Sequence, residues 1–435
     1  MYTNTELSLN AVDSPIYESP LEKIQYSNDD FQLLIEEYTN NYIRVWKDCN
    51  SQIPALGKIF SNSEKRKQEK DILKFFEAIK TETTKNGFDE KASLRNYDKY
   101  SDAIKTFLMN GFNFSSVEID ILFNHNFLKV TSQFFEAARN YDSHLSVEDI
   151  YQAYRNVWAM NWIQLVLGKP IELTPSVFAY SLLYPYTDNF IDDPKISKEQ
   201  KIAFNNRLTR RLKGEIIQPE SPHEQIIYDL VGMIESQYDR KKFPGVFESL
   251  LGIQNAQVKS MRLLNSETDI TDEELLSTSL EKGGTSVLAD GYLVAGNITE
   301  KQKIFLYGYG AYLQLVDDLQ DVPEDLKSRQ LTIYSREAFH NKLDQMINQT
   351  YNFGERVLSL SDQFRINNRE NIFELMKKSS NLLLIVAVGL TNNLYSSPYV
   401  SKIESHSPFR FKFLRSNHKS FFYYGMLLMK LSNRG

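Results

Sequence analysis

The chain has 435 residues, with 56 Asp and Glu against 50 Lys and Arg, and its net charge of −6 argues against general nucleic-acid binding. Its one cysteine, Cys49, excludes a disulfide framework or a thiolate metal centre and fits a reducing compartment. With only 18 Gly and 13 Pro the chain has few turns and long elements, so the expected fold class is all-α, and the length allows two or three average domains. No N-terminal apolar segment reads as a secretory signal. The longest apolar run, Leu382 to Leu390, is nine residues and too short to span a bilayer, so a soluble cytoplasmic protein is expected.

Residues 1–30 are polar, contain Pro15 and Pro20, and read as an extension over the surface. Residues 31–142 hold several helical segments, with capping signals such as Ser115-x-x-Glu118, and are expected to pack on the bundle without evident chemistry. The run Lys65 to Lys70 reads as a solvated helix face. Residues 143–400 form the expected core. There Ser146-x-x-Asp149 opens a long helix that closes near Gly168, with Pro170 after it. Its Trp158, Trp162, Leu165 and Val166 read as core.

Thr174-Pro175 supplies an N-cap and a first-turn proline for the next helix. That helix carries Phe178, Tyr180, Leu183 and Tyr184 into Asp188-Asn189-Phe190-Ile191-Asp192-Asp193-Pro194. Asp188 and Asp192 are at i and i+4, about 6 Å apart along one face. Tyr184, one turn before Asp188, shares that face and points beneath it. Ser197-x-x-Gln200 starts the next helix, on which Arg207 and Arg211, again i and i+4, present two guanidinium forks suited to phosphate oxygens or to solvent. His223 and Glu224, at another helix start, have no motif partner and read as structural. Thr271-x-x-Glu274 caps a helix interrupted at Lys282-Gly283-Gly284-Thr285-Ser286, because adjacent glycines in a helical pattern mark a break or a close approach.

Thr299, with Gln302 three residues on, opens a helix that stays regular for about twenty residues, until Pro323 ends it. On it Gln314, Asp317 and Asp321 fall at i, i+3 and i+7 and share one stripe, which Leu306, Tyr309 and Leu313 continue as an apolar surface. Asp318 sits beside them. Such carboxylates are expensive to bury without a counter-charge, so either they sit in water or a cation sits among them. With a second cluster at Asp188, Asn189, Asp192 and Asp193, the two helices are expected to face each other across a pocket. Oxygen ligands on an open site suit Mg²⁺, which binds through a few carboxylates plus substrate phosphates; Mn²⁺ is the alternative. Residues 401–435 form a tail in which the stretch from Phe409 holds six Lys and Arg (410, 412, 415, 419, 430 and 434) and no acid. It reads as a cover over an anion, a peripheral membrane contact or a packing helix.

These two motifs resemble the paired aspartate-rich motifs of class I isoprenoid synthases. DNFID at 188–192 is similar to the D(D/N)xxD first motif, and DDLQD at 317–321 is similar to the second. The stretch Gly308 to Asp321 resembles the second-motif helix of trans-prenyl diphosphate synthases, glutamine included. Its continuation through Val322-Pro-Glu324-Asp325 to Arg329 is similar to squalene and phytoene synthases. PYTDNFIDDP is nearest to bacterial large-terpene synthases, and the resemblance covers roughly residues 145–330.

The resemblance implies a bundle with a central active-site cavity. Asp188, Asp192, Asp317 and Asp321 would be its catalytic acids. Several Mg²⁺ ions would be held by Asp188, Asn189, Asp192, Asp193, Asp317, Asp318 and Asp321. Diphosphate would lie against Arg207, Arg211, Lys282, Gln314 and Arg329, and the pocket would be lined by Phe178, Tyr180, Tyr184, Gly284, Tyr309 and Leu313. The implied activity is ionisation of an isoprenyl diphosphate to an allylic cation that cyclises or eliminates. A trans-prenyl chain elongase or head-to-head coupling enzyme is the enzymatic alternative, and a polyprenyl-binding helical protein without turnover is the other. Gly57-Lys58 is similar to the diphosphate contact of elongases, but the arginine that should follow closely is absent, which favours a terpene synthase. Monomer and homodimer both remain open.

Overall fold

The computed structural model describes residues 28–85, 105–106, 108–109, 114–124, 126–193, 195–264 and 270–432. Among the described residues the fold is all-α, with no strand. α1 (Asn28–Lys47), α2 (Asn62–Lys85), α3 (Ser116–Asn124) and α4 (Phe127–Tyr141) precede a hairpin of α5 (Val147–Val166) and α6 (Pro175–Asp192). α7 (Lys198–Leu212), α8 (Pro222–Gln237) and α9 (Pro244–Leu264) lead to the long pair α10 (Asp272–Ala295) and α11 (Glu300–Ser328). α12 (Ile333–Ala338), α13 (Asp344–Leu358), α14 (Arg369–Leu390), α15 (Ser397–Ser405) and α16 (Phe411–Ser432) close the chain. No helix among the described residues is long and apolar enough to cross a membrane.

The helix starts follow the side chains that cap them. Ser146 with Asp149, Ser197 with Gln200, Thr271 with Glu274 and Thr299 with Gln302 form reciprocal capping boxes, and the Thr174 hydroxyl accepts from the amide of Val177. Each satisfies helix-end donors that would otherwise lack partners.

α10 is the axis of the fold, packed against α11, α9, α1, α5 and α6. It is unbroken through Lys282–Ser286, contrary to the interruption expected from its two glycines. The glycines are there for close approach. A Cβ on Gly283 would lie 2.3 Å from the Gly310 carbonyl oxygen, and one on Gly310 would lie 2.1 Å from the Gly283 carbonyl oxygen. Gly284 lies under the Tyr307 ring, where a Cβ would meet ring carbons at 2.5 Å. A helix-propensity cost of about 1 kcal/mol per glycine is outweighed by backbones that touch without side chains between them.

α11 likewise continues past Pro323 to Ser328, against the expectation that the proline ends it. The proline removes the donor for the Leu319 carbonyl. Leu319 and Val322 are nonetheless fully buried, so packing on both sides holds the helix through it. On the opposite flank α1 is locked to α11. Thr39 Oγ1 lies 2.6 Å from the Tyr307 hydroxyl, Tyr42 donates to the Ile304 carbonyl at 2.7 Å, and the Tyr42 and Tyr307 rings stack 6.0 Å apart. The apolar core is continuous from Phe31 to Leu414, crossing both boundaries drawn at 142 and 400. Within the tail, Arg410 forms a forked pair with Glu69, and Phe409, Phe413 and Phe421 pack together. The side chains of Lys430 and Arg434 lie outside the described residues.

Candidate functional site

α6 and α10 run antiparallel in a register set by two contacts. Ser176 donates to the Leu293 carbonyl at 2.8 Å, and the Tyr184 hydroxyl meets the Ser286 hydroxyl at 2.5 Å. One helical turn in either direction then brings Tyr180 level with Asp290 and Asp188 level with Lys282. Tyr180 and Tyr184 pack ring edge to ring face at 5.6 Å, so the column is continuous. Gln257 of α9 donates to Asp188 at 3.1 Å from the far side. The side chain of Asp192 lies outside the described residues.

The second cluster sits on the other flank of α10. Buried Asp318 accepts from Ser279 of α10 at 2.6 Å and from Gln314 at 2.7 Å. Burial pushes its carboxyl up to about 6, with Ser279, Gln314 and the charge of Lys282 opposing the rise. Asp321, although exposed, is raised, by partial desolvation first and then by Asp317, with Arg155 and Lys282 opposing. Asp325 is pushed up to about 7, by burial first and then by Asp318 and Asp321, and its Oδ2 is buried without a hydrogen-bond partner. Asp317 is half exposed and paired with Arg155 of α5, Nη2 to Oδ1 3.2 Å. Gln314 therefore turns to Asp318, one turn on, and the carboxylates buried on this helix are Asp318 and Asp325.

This donor set suits a hard divalent cation: oxygen ligands only, short of positive charge, with one buried carboxylate oxygen unsatisfied. Among the described residues no three His, Cys, Asp or Glu side chains already converge at ligand distances.

The remaining predicted residues divide by position. Asn189 donates to Asp149 of α5 at 2.8 Å and lines a surface cleft with Asp142, His144 and Tyr186, on a different side of α6 from Asp188. Asp193 caps α6 and accepts from the Lys195 amide at 2.8 Å. Arg207 is paired with Glu220 at 3.0 Å and donates to Glu224 of α8 from both Nη2 and Nε, the latter at 3.1 and 3.2 Å to the two carboxylate oxygens. Arg211 is forked onto Glu235 at 2.6 and 2.7 Å, a carboxylate that Arg240 shares. Both guanidinium groups tie α7 to α8, and His223 stacks on Phe190 nearby, 5.2 Å between ring centroids. Arg329 is exposed, in the left-handed conformation that ends α11. Phe178 faces Phe134 and Tyr141 of α4, and Tyr309 stacks on Phe305. Leu313 is half-buried against the core. Of the predicted pocket residues, Tyr180 and Tyr184 are the pair that stands in the column below Asp188.

Sequence reasoning missed Arg155, Asn156, Gln257, Ser279 and Asp290. One signal was available: Asp290 is a lone acid in the apolar run Val287-Leu-Ala-Asp-Gly-Tyr-Leu-Val294, four and eight residues beyond Ser286 and Lys282. It is 1 % exposed, and burial raises its carboxyl well above the usual carboxylate range, with the Asn156 amide opposing. An acid with a raised folded pKa costs nothing below its unfolded pKa, near 3.8, where both states are protonated. Above that the unfolded chain ionises alone, and stability falls by about 1.4 kcal/mol per pH unit until the folded pKa is reached. Asp290→Asn should therefore raise the urea midpoint at pH 7–8 and leave it unchanged near pH 3.5. A midpoint at pH 8 equal to or below that of the wild type contradicts the burial account.

No protein-family model matches the chain, and neither a curated protein nor a solved structure matches it.

Proposed function

We propose that this protein is a cytoplasmic Mg²⁺-dependent class I terpene synthase that ionises an isoprenyl diphosphate and converts the allylic cation by cyclisation or elimination. What supports the reading is the register of α10 against its two neighbours: the Tyr184–Ser286 contact puts Asp188 of α6 level with Lys282, and the charge of Lys282 bears on Asp318 of α11. Asp188 and Asp192, with Asp317, Asp318, Asp321 and Asp325, would hold the metal. Bound Mg²⁺ supplies Lewis-acid neutralisation of charge on the departing diphosphate. Lys282, between the clusters, adds a fixed positive charge where that negative charge develops. Arg155 pairs with Asp317 at the same level and holds that carboxylate oriented outward. Below, Tyr184 turns its ring toward α10 and offers a π-face to an allylic cation, worth about 0.5–2 kcal/mol.

The test is pyrophosphate release from allylic diphosphates of graded chain length, with and without Mg²⁺. Release that requires Mg²⁺ and selects a chain length is the expected result; none with any chain length overturns the reading. Tyr184→Ala should then shift the product profile toward a substrate longer by one isoprene unit or toward less cyclised products, at a stability cost of a few kcal/mol. Gas chromatography reads both, and an unchanged profile means that Tyr184 is only core.

A further inference from the structure

Below the candidate site the α6–α10 column ends in polar groups that departure of a diphosphate does not use. Asp290 lies 3.5 Å from Nδ2 of Asn156, and the same amide donates to Ser181 at 3.1 Å. The Tyr180 hydroxyl is buried at this level, beside those of Tyr184 and Ser286, without meeting hydrogen-bond geometry to any partner. Pro185 has no N–H for the Ser181 carbonyl, so α6 also lacks its usual intrahelical bond here. The groups that bear on Asp290 are the Asn156 amide and the phenols of Tyr180 and Tyr184, and none of them is a cation. An acid so placed keeps its proton. It also costs stability that asparagine or leucine would not, which points to a use.

We propose that Asp290 is the acid–base residue for the hydrocarbon part of the substrate, donating a proton to a neutral polyene intermediate and taking one back. The inference rests on the terpene-synthase reading. The allylic cation first loses a proton to the released diphosphate, giving the neutral polyene. The Asp290 O–H bond then breaks as an alkene π pair forms the new C–H bond, leaving a carboxylate facing a carbocation. Loss of a proton from a carbon next to the cationic centre restores the O–H and forms a new C=C bond. Atoms and charge balance, and no oxidant is needed. Asn156 donates to the carboxylate during its brief existence, and the phenols of Tyr180 and Tyr184 lie beside it.

The experiment is turnover of allylic diphosphates by the full chain equilibrated in D₂O with Mg²⁺, reading pyrophosphate and product mass together. The wild type should give product carrying one solvent deuterium, and in Asp290→Asn the labelled fraction should fall by about 100-fold. Pyrophosphate release with unlabelled wild-type product overturns the inference while leaving the terpene-synthase reading intact. So does an Asp290→Asn product labelled as fully as the wild type. Absence of pyrophosphate from every substrate overturns both. Because the wild-type label alone is decisive, the inference stays testable even if a variant fails to fold.

Discussion

Asp188→Ala and Asp317→Ala should each lower Mg²⁺-dependent pyrophosphate release by about 10³-fold or more, with helix content by circular dichroism unchanged. The magnitude follows from removing one oxygen donor from a site whose metal contributes several kcal/mol of charge stabilisation, at 1.36 kcal/mol per tenfold. The fold should tolerate both changes. Asp317 is 43 % exposed and paired with an Arg155 that is itself 65 % exposed, a surface pair worth at most about 1 kcal/mol. Removal of Asp188 leaves one amide of Gln257 without its acceptor. If both variants keep substantial activity, α6 and α11 do not present the metal face.

The largest stability effect is expected between α10 and α11. Gly310→Ala places a methyl 2.1 Å from the Gly283 carbonyl oxygen, and Gly283→Ala places one 2.3 Å from that of Gly310. These neighbours are backbone and cannot rotate away, so the two central helices must part. A loss of about 3 kcal/mol is expected for either variant, read as a drop in the denaturant midpoint. Gly232→Ala in α8 is the internal control: its Cβ would meet nothing closer than Arg211 Nη2 at 4.0 Å. There the gain in helix propensity should stabilise by about 0.5–1 kcal/mol. Equal effects at positions 232 and 310 would mean that the α10–α11 contact is looser than described.

How much of this was legible in the sequence depended on range. Caps are local, so Ser146, Thr174, Ser197, Thr271 and Thr299 all announced the helices that they start. Breakers misled in two places for one reason. Pro323 and the pair Gly283-Gly284 carry local costs, and tertiary burial on α10 and α11 overrides them. The periodicity of α11 found its acidic face, yet it cannot say which of two adjacent aspartates turns inward. That was decided by Ser279 and Gln314, which hold Asp318 in, and by Arg155, which holds Asp317 out. Arginine spacing on α7 carried no record of Glu224 and Glu235 on α8, which engage Arg207 and Arg211. Asp290 was visible as an acid in an apolar run, but its neighbours Asn156 and Tyr180 come from two other helices.

The central claim is that carboxylates on α6 and α11 jointly hold a metal–diphosphate group over Lys282. Isothermal titration of the full chain with inorganic pyrophosphate, with and without Mg²⁺, tests it apart from any turnover. The account predicts binding that requires Mg²⁺ and is lost in Asp188→Ala and in Asp317→Ala alike. Binding that is independent of Mg²⁺, or that survives loss of either carboxylate, would contradict it.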